Sequence, residues 1–399
     1  MSVSTSVPVR ERTLSGGMIL ILAIACGMTV ANLYYNQPLL ADIARSFHST
    51  PQRVGIVSMS TQIGYAIGML VFVPLADIRE RRRLISTLLI AVAILLIGVA
   101  NAQTVLWLDI ASFAVGFTTV VPQVIIPMVA HLANPGQRGK IIGTVMSGLL
   151  IGILLARTVA GYIGSLVGWR GMYWIAAVMM LVLFVVLRFC LPKDVPSSKL
   201  RYVQLIKSIG VLIVGQRTLR EASFIGAMFF GAFSVFWTTL AFLLEEAPFH
   251  YGSQIAGLFG LVGVVGAMVA PIAGRLADKL PAKWIVGLAG SITLVAFVCF
   301  GFLGHTLWGL ILGVILLDMG VQGAQILNQT RIYSLIPEAR SRLNTVYMVS
   351  AFVGGAIGSS LGSTAWALWG WSGVSIAGGS MVAAGGIVWG LHRARDQSM

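Results

Sequence analysis

The sequence is poor in charged residues. Asp, Glu, Lys and Arg make up 10% of its 399 residues, against about 25% in a typical soluble domain, and 57% of the chain is hydrophobic. A chain of this length and composition has too few polar side chains to cover a water-soluble core. The shortage of charge therefore excludes an ordinary soluble protein and indicates a membrane protein with many spans.

Cysteine is scarce as well. The three cysteines are far apart and each lies within an apolar stretch, where a thiol is a small buried hydrophobic group: Cys26, Cys190 and Cys299. Lys and Arg outnumber Asp and Glu by 27 to 13, but no basic patch with interleaved aromatics and no zinc-ligand spacing occurs. We expect no disulfide, no metal, no cofactor and no nucleic-acid partner.

Two motifs of energy-coupled and hydrolytic enzymes are missing. The sequence contains no G-x-x-x-x-G-K-S/T loop for nucleotide phosphates and no H-E-x-x-H zinc motif. Four of the histidines fall at the ends of apolar stretches: His48, His131, His250 and His305. The sequence therefore disfavours ATP-driven transport within this chain, and we expect that the protein is not an enzyme.

The chain repeats itself at an offset of 201 or 202 residues. The triplet Leu-Ala-Asp at 75–77 returns at 276–278, each time after an apolar segment and before basic residues. The same offset matches other pairs: Gly64 with Gly266, Gln123 with Gln325, Gly168 with Gly370, and Trp169 with Trp371. A repeat over most of the chain predicts two like halves.

Twelve apolar stretches are each long enough, at roughly 18–25 residues, to cross a bilayer as a helix. The predicted spans are 17–40, 52–74, 84–102, 105–131, 140–166, 171–190, 222–246, 253–275, 283–303, 306–331, 342–366 and 371–391. The predicted fold class is an all-α membrane protein of two pseudo-symmetric six-helix bundles. Its parts are an N-terminal tail (1–16), a first bundle (17–190), a linker with a short interfacial helix (191–221), a second bundle (222–391) and a C-terminal tail (392–399).

Lys and Arg give these spans an orientation. If the N-terminus is cytoplasmic, 23 of these residues fall on the cytoplasmic side, and only Arg45, Arg53 and Arg170 fall on the other. Cytoplasmic loops carry an excess of Lys and Arg. Both termini are therefore predicted to be cytoplasmic, with the lipid bilayer around the spans.

The two like halves, each with an acidic-basic motif after its second span, resemble the major facilitator superfamily. Its motif is commonly written G-x-L-A-D-R-x-G-R-R; here residues 73–82 read V-P-L-A-D-I-R-E-R-R, without either glycine. The second copy keeps its first glycine, Gly274. The first span, with N-L-Y-Y-N-Q-P-L-L-A-D at 32–42, looks like the bacterial drug, sugar or nucleoside efflux branch. The resemblance implies a monomeric secondary transporter of the bacterial cytoplasmic (inner) membrane.

The resemblance also implies a conformational latch at the repeated motif. Asp77 would accept hydrogen bonds from the open N–H groups at the start of the eleventh span, with Arg81 as its charge partner and Asp278 as the matching residue of the second half. The alternative is that Asp77 only offsets the four arginines near it. Because acidic residues contribute little to orientation, we favour the latch.

The fifth span departs from the antiporter pattern G-x-x-x-G-P-x-x-G-G. Residues 148–157 read G-L-L-I-G-I-L-L-A-R, so the proline is absent and Arg157 stands where a glycine is usual. The arginine that the fourth span normally carries is also missing, because Ser112 occupies its position. An unusual membrane-embedded arginine thus replaces the usual one.

Charge within a bilayer is costly and marks function by default. Arg157 lies at a depth comparable to that of Asp318, the only acidic residue near the middle of a span. Our hypothesis is that Asp318 is the protonatable group and Arg157 its counter-charge, directly or through water. Two alternatives remain: a purely structural ion pair, or a pair between Arg157 and Asp109.

Polar and aromatic residues on several spans predict a substrate cavity. On the tenth span, a polar stripe at helical spacing continues from Asp318, and Gln123 is its counterpart in the first half. The predicted cavity residues are Asn32, Tyr35, Asn36, Gln62, Tyr65, Gln123, Phe233, Trp237, Gln322, Gln325, Gln329, Asn344, Tyr347 and Phe352. Aromatic and amide groups suit a small organic ligand.

The function predicted from these features is the proton-coupled export of a small organic molecule such as a drug, sugar or nucleoside. The alternative within the same fold is an importer or facilitator of a metabolite; a membrane sensor or an intramembrane enzyme is more distant. The 16 methionines and the absence of a second central acid favour a weakly polar cargo that is neutral or cationic.

Overall fold

The protein is described here by a computed structural model over residues 15–134, 137–192, 201–268, 282–336 and 339–397, and every regular element in these ranges is helical. The helices are α1 (Gly16–Ala31), α2 (Leu40–Ser46), α3 (Pro51–Ile78), α4 (Arg81–Ala100), α5 (Val105–Thr118), α6 (Val121–Leu132), α7 (Arg138–Cys190), α8 (Tyr202–Gly215), α9 (Arg217–Glu245), α10 (Ser253–Ala267), α11 (Ala282–Leu303), α12 (Leu307–Tyr333) and α13 (Arg340–Gln397). A short 3₁₀ helix, Gln37–Leu39, joins α1 to α2.

The described helices account for eleven of the twelve predicted spans and for the first part of the eighth, whose residues 269–275 lie outside the described ranges. The first span consists of α1, the 3₁₀ helix and α2, and the fourth consists of α5 and α6, which are separated just before Pro122. The long helices α7 and α13 each contain two spans. Eight of the described helical stretches are long and apolar enough to cross a membrane. The predicted all-α membrane fold is confirmed.

Two matched glycines turn the chain inside α7 and α13. Gly168 has φ 77° and Gly370 has φ 58°, and a Cβ atom at either position would meet open space. The constraint is therefore the backbone angle, which costs a residue with a side chain roughly 1–2 kcal/mol. Because these residues are 202 positions apart, the sequence repeat corresponds to a structural one.

The ends of the bundle differ in composition. We call the end with the loop at 79–80 and the first turns of α7 and α13 the basic end. The other end, with residues 47–50, 101–104, 246–252 and 304–306, is the distal end. The linker helix α8 lies at the basic end: Ile209 and Leu212 pack with Leu219 and Leu343, and the Tyr202 hydroxyl donates to the Val71 carbonyl at 3.2 Å.

The two halves are closed against each other at the distal end. Helix α3 packs on α13, and α7 packs on α10. Gln62 Nε2 donates to Ser359 Oγ at 3.0 Å across the first contact, and Thr158 Oγ1 donates to the Gly257 carbonyl at 2.9 Å across the second. Arg45 and Glu245 add an ion pair of 2.8 Å. Small residues allow this close approach of helices.

Candidate functional site

A cavity of about 440 Å³ lies between the two halves. It is bordered by α1, α3, α6 and α7 from the first half and by α9, α12 and α13 from the second. It reaches the basic end, where Arg340 and Ser341 border it. Eight of the predicted cavity residues line it: Tyr65, Gln123, Phe233, Gln322, Gln325, Gln329, Asn344 and Phe352.

Amide groups form the polar part of the lining. Gln123 Nε2 donates to the Tyr65 hydroxyl at 3.1 Å, and Gln329 Nε2 donates to Asn344 Oδ1 at 3.3 Å. Gln322 and Gln325 are half-buried, and within the described ranges neither side chain hydrogen-bonds to the protein. Each therefore presents a free donor and a free acceptor to the cavity.

Aromatic rings form the apolar part and connect the halves. The centroids of Tyr65 on α3 and Phe352 on α13 are 4.5 Å apart. Phe230 on α9 lies 4.9 Å from Phe352 and is stacked on Phe233 at 5.5 Å. Ring pairs at such distances are favourable beyond their buried area. We call these four residues the aromatic wall.

The other six predicted cavity residues do not border this cavity: Asn32, Tyr35, Asn36, Gln62, Trp237 and Tyr347. All six are buried. Asn32 contacts Met180, Asn36 contacts Thr61, and Gln62 belongs to the distal closure. In this conformation they are part of helix packing, and any contact between them and substrate stays a prediction for another conformation of the protein.

Residues that the sequence did not single out complete the lining. On the first span the cavity is bordered by Val30, in the last turn of α1, and by Tyr34, in the turn that follows α1. Asn32 and Asn36 lie in the same turn but do not border the cavity. Phe230, three residues before Phe233 on α9, was also missed, although its helical spacing was a usable signal.

Arg157 is completely buried and contacts both halves. Its Nε donates to Gln37 Oε1 at 2.6 Å. Its guanidinium carbon lies 4.0 Å from the ring centroid of Trp237, 4.9 Å from that of Tyr34 and 5.2 Å from that of Phe233. Trp237 and Phe233 belong to α9 and the other two residues to the first span. Cation–π contacts and one charge-assisted hydrogen bond thus hold this arginine where the halves meet.

Asp318 is also completely buried. It lies on α12 against α10, where a Cβ atom on Gly263 would come 3.1 Å from Asp318 Oδ2. Neither oxygen of Asp318 and neither terminal nitrogen of Arg157 hydrogen-bonds within the described part of the chain. The two groups interact electrostatically, but among the described residues they form no direct ion pair.

The third coupling candidate, Asp109, has a different partner. Its Oδ2 lies 2.5 Å from Arg53 Nη1, which joins α5 to α3 within the first half. The alternative pair between Arg157 and Asp109 is therefore not formed in this structure. Arg157 is instead held by Gln37.

The latch residues lie at the basic end. Asp77 Oδ1 is 3.7 Å from Arg81 Nη2, and Arg342, in the first turn of α13, also acts on the charge of Asp77. The start of α13 is the predicted eleventh span, toward which the latch was expected to point. Asp278 falls outside the described residues.

One short hydrolase-like pattern occurs at 358–362, which reads G-S-S-L-G. In hydrolases the G-x-S-x-G serine occupies a strand-to-helix turn. Here the segment lies inside α13. The motif serine is Ser360, which is half-buried on this helix. The serine before it, Ser359, is buried and accepts hydrogen bonds from Gln62 and Thr238 in the closure between the halves.

Gln37→Leu is expected to destabilise the protein, because it leaves Arg157 Nε buried without its acceptor. Loss of one partner of a buried hydrogen bond costs about 1–3 kcal/mol, and more when a charge is involved. The measurement is the unfolding temperature in detergent. Gln254→Leu is the control, because Gln254 is exposed. Equal unfolding temperatures for the two variants would show that this hydrogen bond contributes nothing.

Comparison with known proteins identifies the class. The sequence-family model for the Major Facilitator Superfamily matches residues 19–358 and 222–398. The chain therefore belongs to this superfamily and is a multi-pass membrane transporter of small solutes, as its duplicated motif predicted.

Several bacterial transporters are similar over most of their length. The uncharacterized transporter YgaY of Escherichia coli O157:H7 is 41% identical over 95% of this chain and 97% of its own. "Probable transporter SCO4007" of Streptomyces coelicolor is 34% identical over 94% of this chain and 87% of its own. A "Probable sugar efflux transporter" of Helicobacter acinonychis is 25% identical over 82% of each chain.

Solved structures share the fold. A bacterial homologue of the human lysosomal transporter Spinster, in an inward-facing and occupied conformation, aligns with a TM-score of 0.77 at 14% identity over 96% of this chain and 97% of its own. A mutant of the nucleoside transporter NupG aligns with a TM-score of 0.75 at 13% identity over 93% of this chain and 98% of its own. At these identities the likeness concerns the fold alone.

Proposed function

We propose that this transporter exports a small organic molecule across the bacterial cytoplasmic membrane in exchange for protons. The observation that carries the proposal is the pair of completely buried charges, Arg157 and Asp318, next to the cavity. A charge at mid-bilayer costs roughly 2.5–3.5 kcal/mol and by default marks a functional site. Proton coupling accounts for the presence of both charged residues within the membrane-spanning helices.

The proposed coupling uses the position of Arg157 between the halves. Its contacts come from α9 of the second half and from the first span of the first half. Protonation of Asp318 removes the charge that attracts Arg157, and deprotonation restores it. The balance between the two conformations then depends on whether a proton is bound, which is the requirement for exchange transport.

The orientation of the cavity is compatible with export. The cavity reaches the basic end, which the excess of Lys and Arg assigns to the cytoplasm together with both termini. A solute from inside the cell then has direct access to the amides and the aromatic wall. The name of the Helicobacter relative also includes efflux.

The latch at the basic end is part of the proposal. Asp77 and Arg81 would secure that end against α13 when it closes. Arg342 supports this role, because it brings the first turn of α13 within electrostatic reach of Asp77. We propose that the protein acts as a monomer, since each chain has both halves around one cavity.

The test is reconstitution of the purified protein in vesicles that contain a pH-sensitive dye. A panel of drugs, sugars and nucleosides is offered on one side, and internal pH and solute movement are recorded together. A proton-coupled exporter moves protons in the direction opposite to its solute, and it accumulates the solute under a pH gradient. Solute counterflow that is indifferent to the gradient would instead identify a facilitator, and solute movement in the same direction as protons would identify an importer.

A further inference from the structure

We infer that the cavity accepts an uncharged, planar solute that both donates and accepts hydrogen bonds, and that it rejects organic cations of the same shape. The inference rests on the proposed function, because it concerns the cargo of the same cavity. The sequence favoured a cargo that is neutral or cationic, and the inference limits it to neutral, planar solutes.

The first support is the charge of the lining. Among the described residues that border the cavity, the only charged one is Arg340, at the basic end. Asp318 does not border it, and Asp77 and Asp109 are paired elsewhere. A cation would lose its hydration in this cavity without gaining a carboxylate partner, which is unfavourable.

Arg157 adds to this exclusion. Its guanidinium lies 4.9 Å from the ring of Tyr34 and 5.2 Å from that of Phe233, and both of these residues line the cavity. The positive charge of Arg157 therefore lies just behind the rings of Tyr34 and Phe233 in the inner part of the lining. It repels a second cation through a medium of low dielectric constant.

Anions are disfavoured for a different reason. Arg340 is exposed, and its Nε already donates to the Tyr333 carbonyl at 3.1 Å. Deeper in the cavity the described lining offers amides and hydroxyls but no cationic side chain. An anion that moved inward would lose water without reaching a cationic side chain, because Arg157 lies behind the rings of Tyr34 and Phe233 and cannot hydrogen-bond to it.

The second support is the pair of free amides on α12. Gln322 and Gln325 are three residues apart, so they share one side of the helix. Each offers an NH₂ donor and a carbonyl acceptor that the described protein does not use. A solute with both functions satisfies them, whereas one without a donor leaves a half-buried acceptor unpaired. Such sites discriminate strongly against analogues that lack the hydrogen-bonding group.

The third support is the aromatic wall, which favours a flat ring. Tyr65, Phe230, Phe233 and Phe352 come from both halves, and flat ligands stack well on such surfaces. The volume of about 440 Å³ is ample for a solute of two or three fused rings.

The experiment uses four fluorescent probes of nearly the same shape. Acridone is neutral with one N–H donor and one carbonyl acceptor; 10-methylacridone is neutral without the donor; 10-methylacridinium is a cation; and acridone-4-carboxylate is an anion. Binding to purified wild-type protein in detergent is measured by fluorescence anisotropy. Because no proton gradient is involved, a failure of proton coupling in vesicles leaves this result unaffected, and the two proposals fail separately.

Acridone is expected to bind most tightly of the four. Loss of one hydrogen bond weakens 10-methylacridone about fivefold to tenfold. The cation 10-methylacridinium, which also lacks the N–H donor, is expected to bind at least about tenfold more weakly than 10-methylacridone, and acridone-4-carboxylate at least about tenfold more weakly than acridone. Binding of 10-methylacridinium as tight as that of 10-methylacridone overturns the inference. So does the absence of acridone binding.

Two variants connect the result to the amides. The double variant Gln322→Leu/Gln325→Leu is expected to bring the affinity ratio of acridone to 10-methylacridone close to one, whereas Gln254→Leu, outside the cavity, leaves it unchanged. Gln325→Glu is expected to create affinity for 10-methylacridinium, because it supplies the missing carboxylate. A ratio that persists in the double variant, or a Gln325→Glu variant that still rejects the cation, contradicts the assignment.

Discussion

Asp318→Asn is expected to reduce solute-driven proton movement to the level of vesicles without protein. Asparagine has nearly the same size and shape as aspartate but cannot bind or release a proton. Because Asp318 makes no hydrogen bond within the described part of the chain, its replacement removes the charge that acts on Arg157 without breaking a described hydrogen bond. The measurement is internal pH in vesicles while a transported solute is added outside.

Solute exchange without net proton movement should survive in the same variant. Counterflow requires only that the loaded transporter changes conformation, and the cavity lining is unaltered because Asp318 does not border it. Asp42→Asn is the matched control: Asp42 also carries a carboxylate, but it pairs with Arg45 at the distal end. Proton movement at the wild-type level in Asp318→Asn would exclude Asp318 as the coupling group.

The sequence predicted the second-half wall of the cavity better than the first-half wall. Gln322, Gln325 and Gln329 stand out because they recur at helical spacing in an otherwise apolar span, and α12 is one uninterrupted helix. Periodicity therefore predicts these three residues correctly, since all of them line the cavity, although Asp318 at the start of the stripe does not.

The first span shows why the same reasoning did not extend to α1. Helix α1 ends at Ala31, and the chain then turns before the 3₁₀ helix at Gln37–Leu39. Asn32 and Asn36 therefore lie outside any regular helix, and their four-residue spacing does not place them on one helical face. The residues that reach the cavity are Val30 and Tyr34. In a membrane protein, lipid-facing and packed surfaces are both apolar, so polarity alone does not identify the cavity side.

Arg157 illustrates a further limit. Its rarity inside a span indicated a functional site, and the depth of Asp318 indicated a partner. Its hydrogen bond to Gln37, however, depends on a turn 120 residues earlier in the chain. Its contact with the ring of Trp237 depends on the packing of α9, from the second half, against the first half. Composition and spacing within one span contain no information about such contacts. The 202-residue repeat, in contrast, paired Gly168 with Gly370, and the structure turns at both residues.

Gly161→Leu is expected to abolish transport by preventing closure of the distal end. A Cβ atom at Gly161 would lie 2.9 Å from the Cα of Gly257 on α10 and would also meet the Ser253 carbonyl. These are backbone atoms of the opposite half, which cannot move aside as a flexible side chain can. The halves must therefore separate at the distal end, and the state with the cavity open at the basic end becomes inaccessible.

The variant is distinguished from a misfolded protein by its labelling. Ser359→Cys, in a background without the three native cysteines, places a thiol in the distal closure, where Ser359 is buried. A membrane-impermeant maleimide added from the distal side should react much faster when Gly161→Leu is present. Gly143→Leu is the matched control on the same helix, because a side chain there meets nothing within 4 Å. If Gly161→Leu transports and labels like Gly143→Leu, the contact between α7 and α10 does not close the distal end, and the conformational cycle must depend on the contact between α3 and α13 instead.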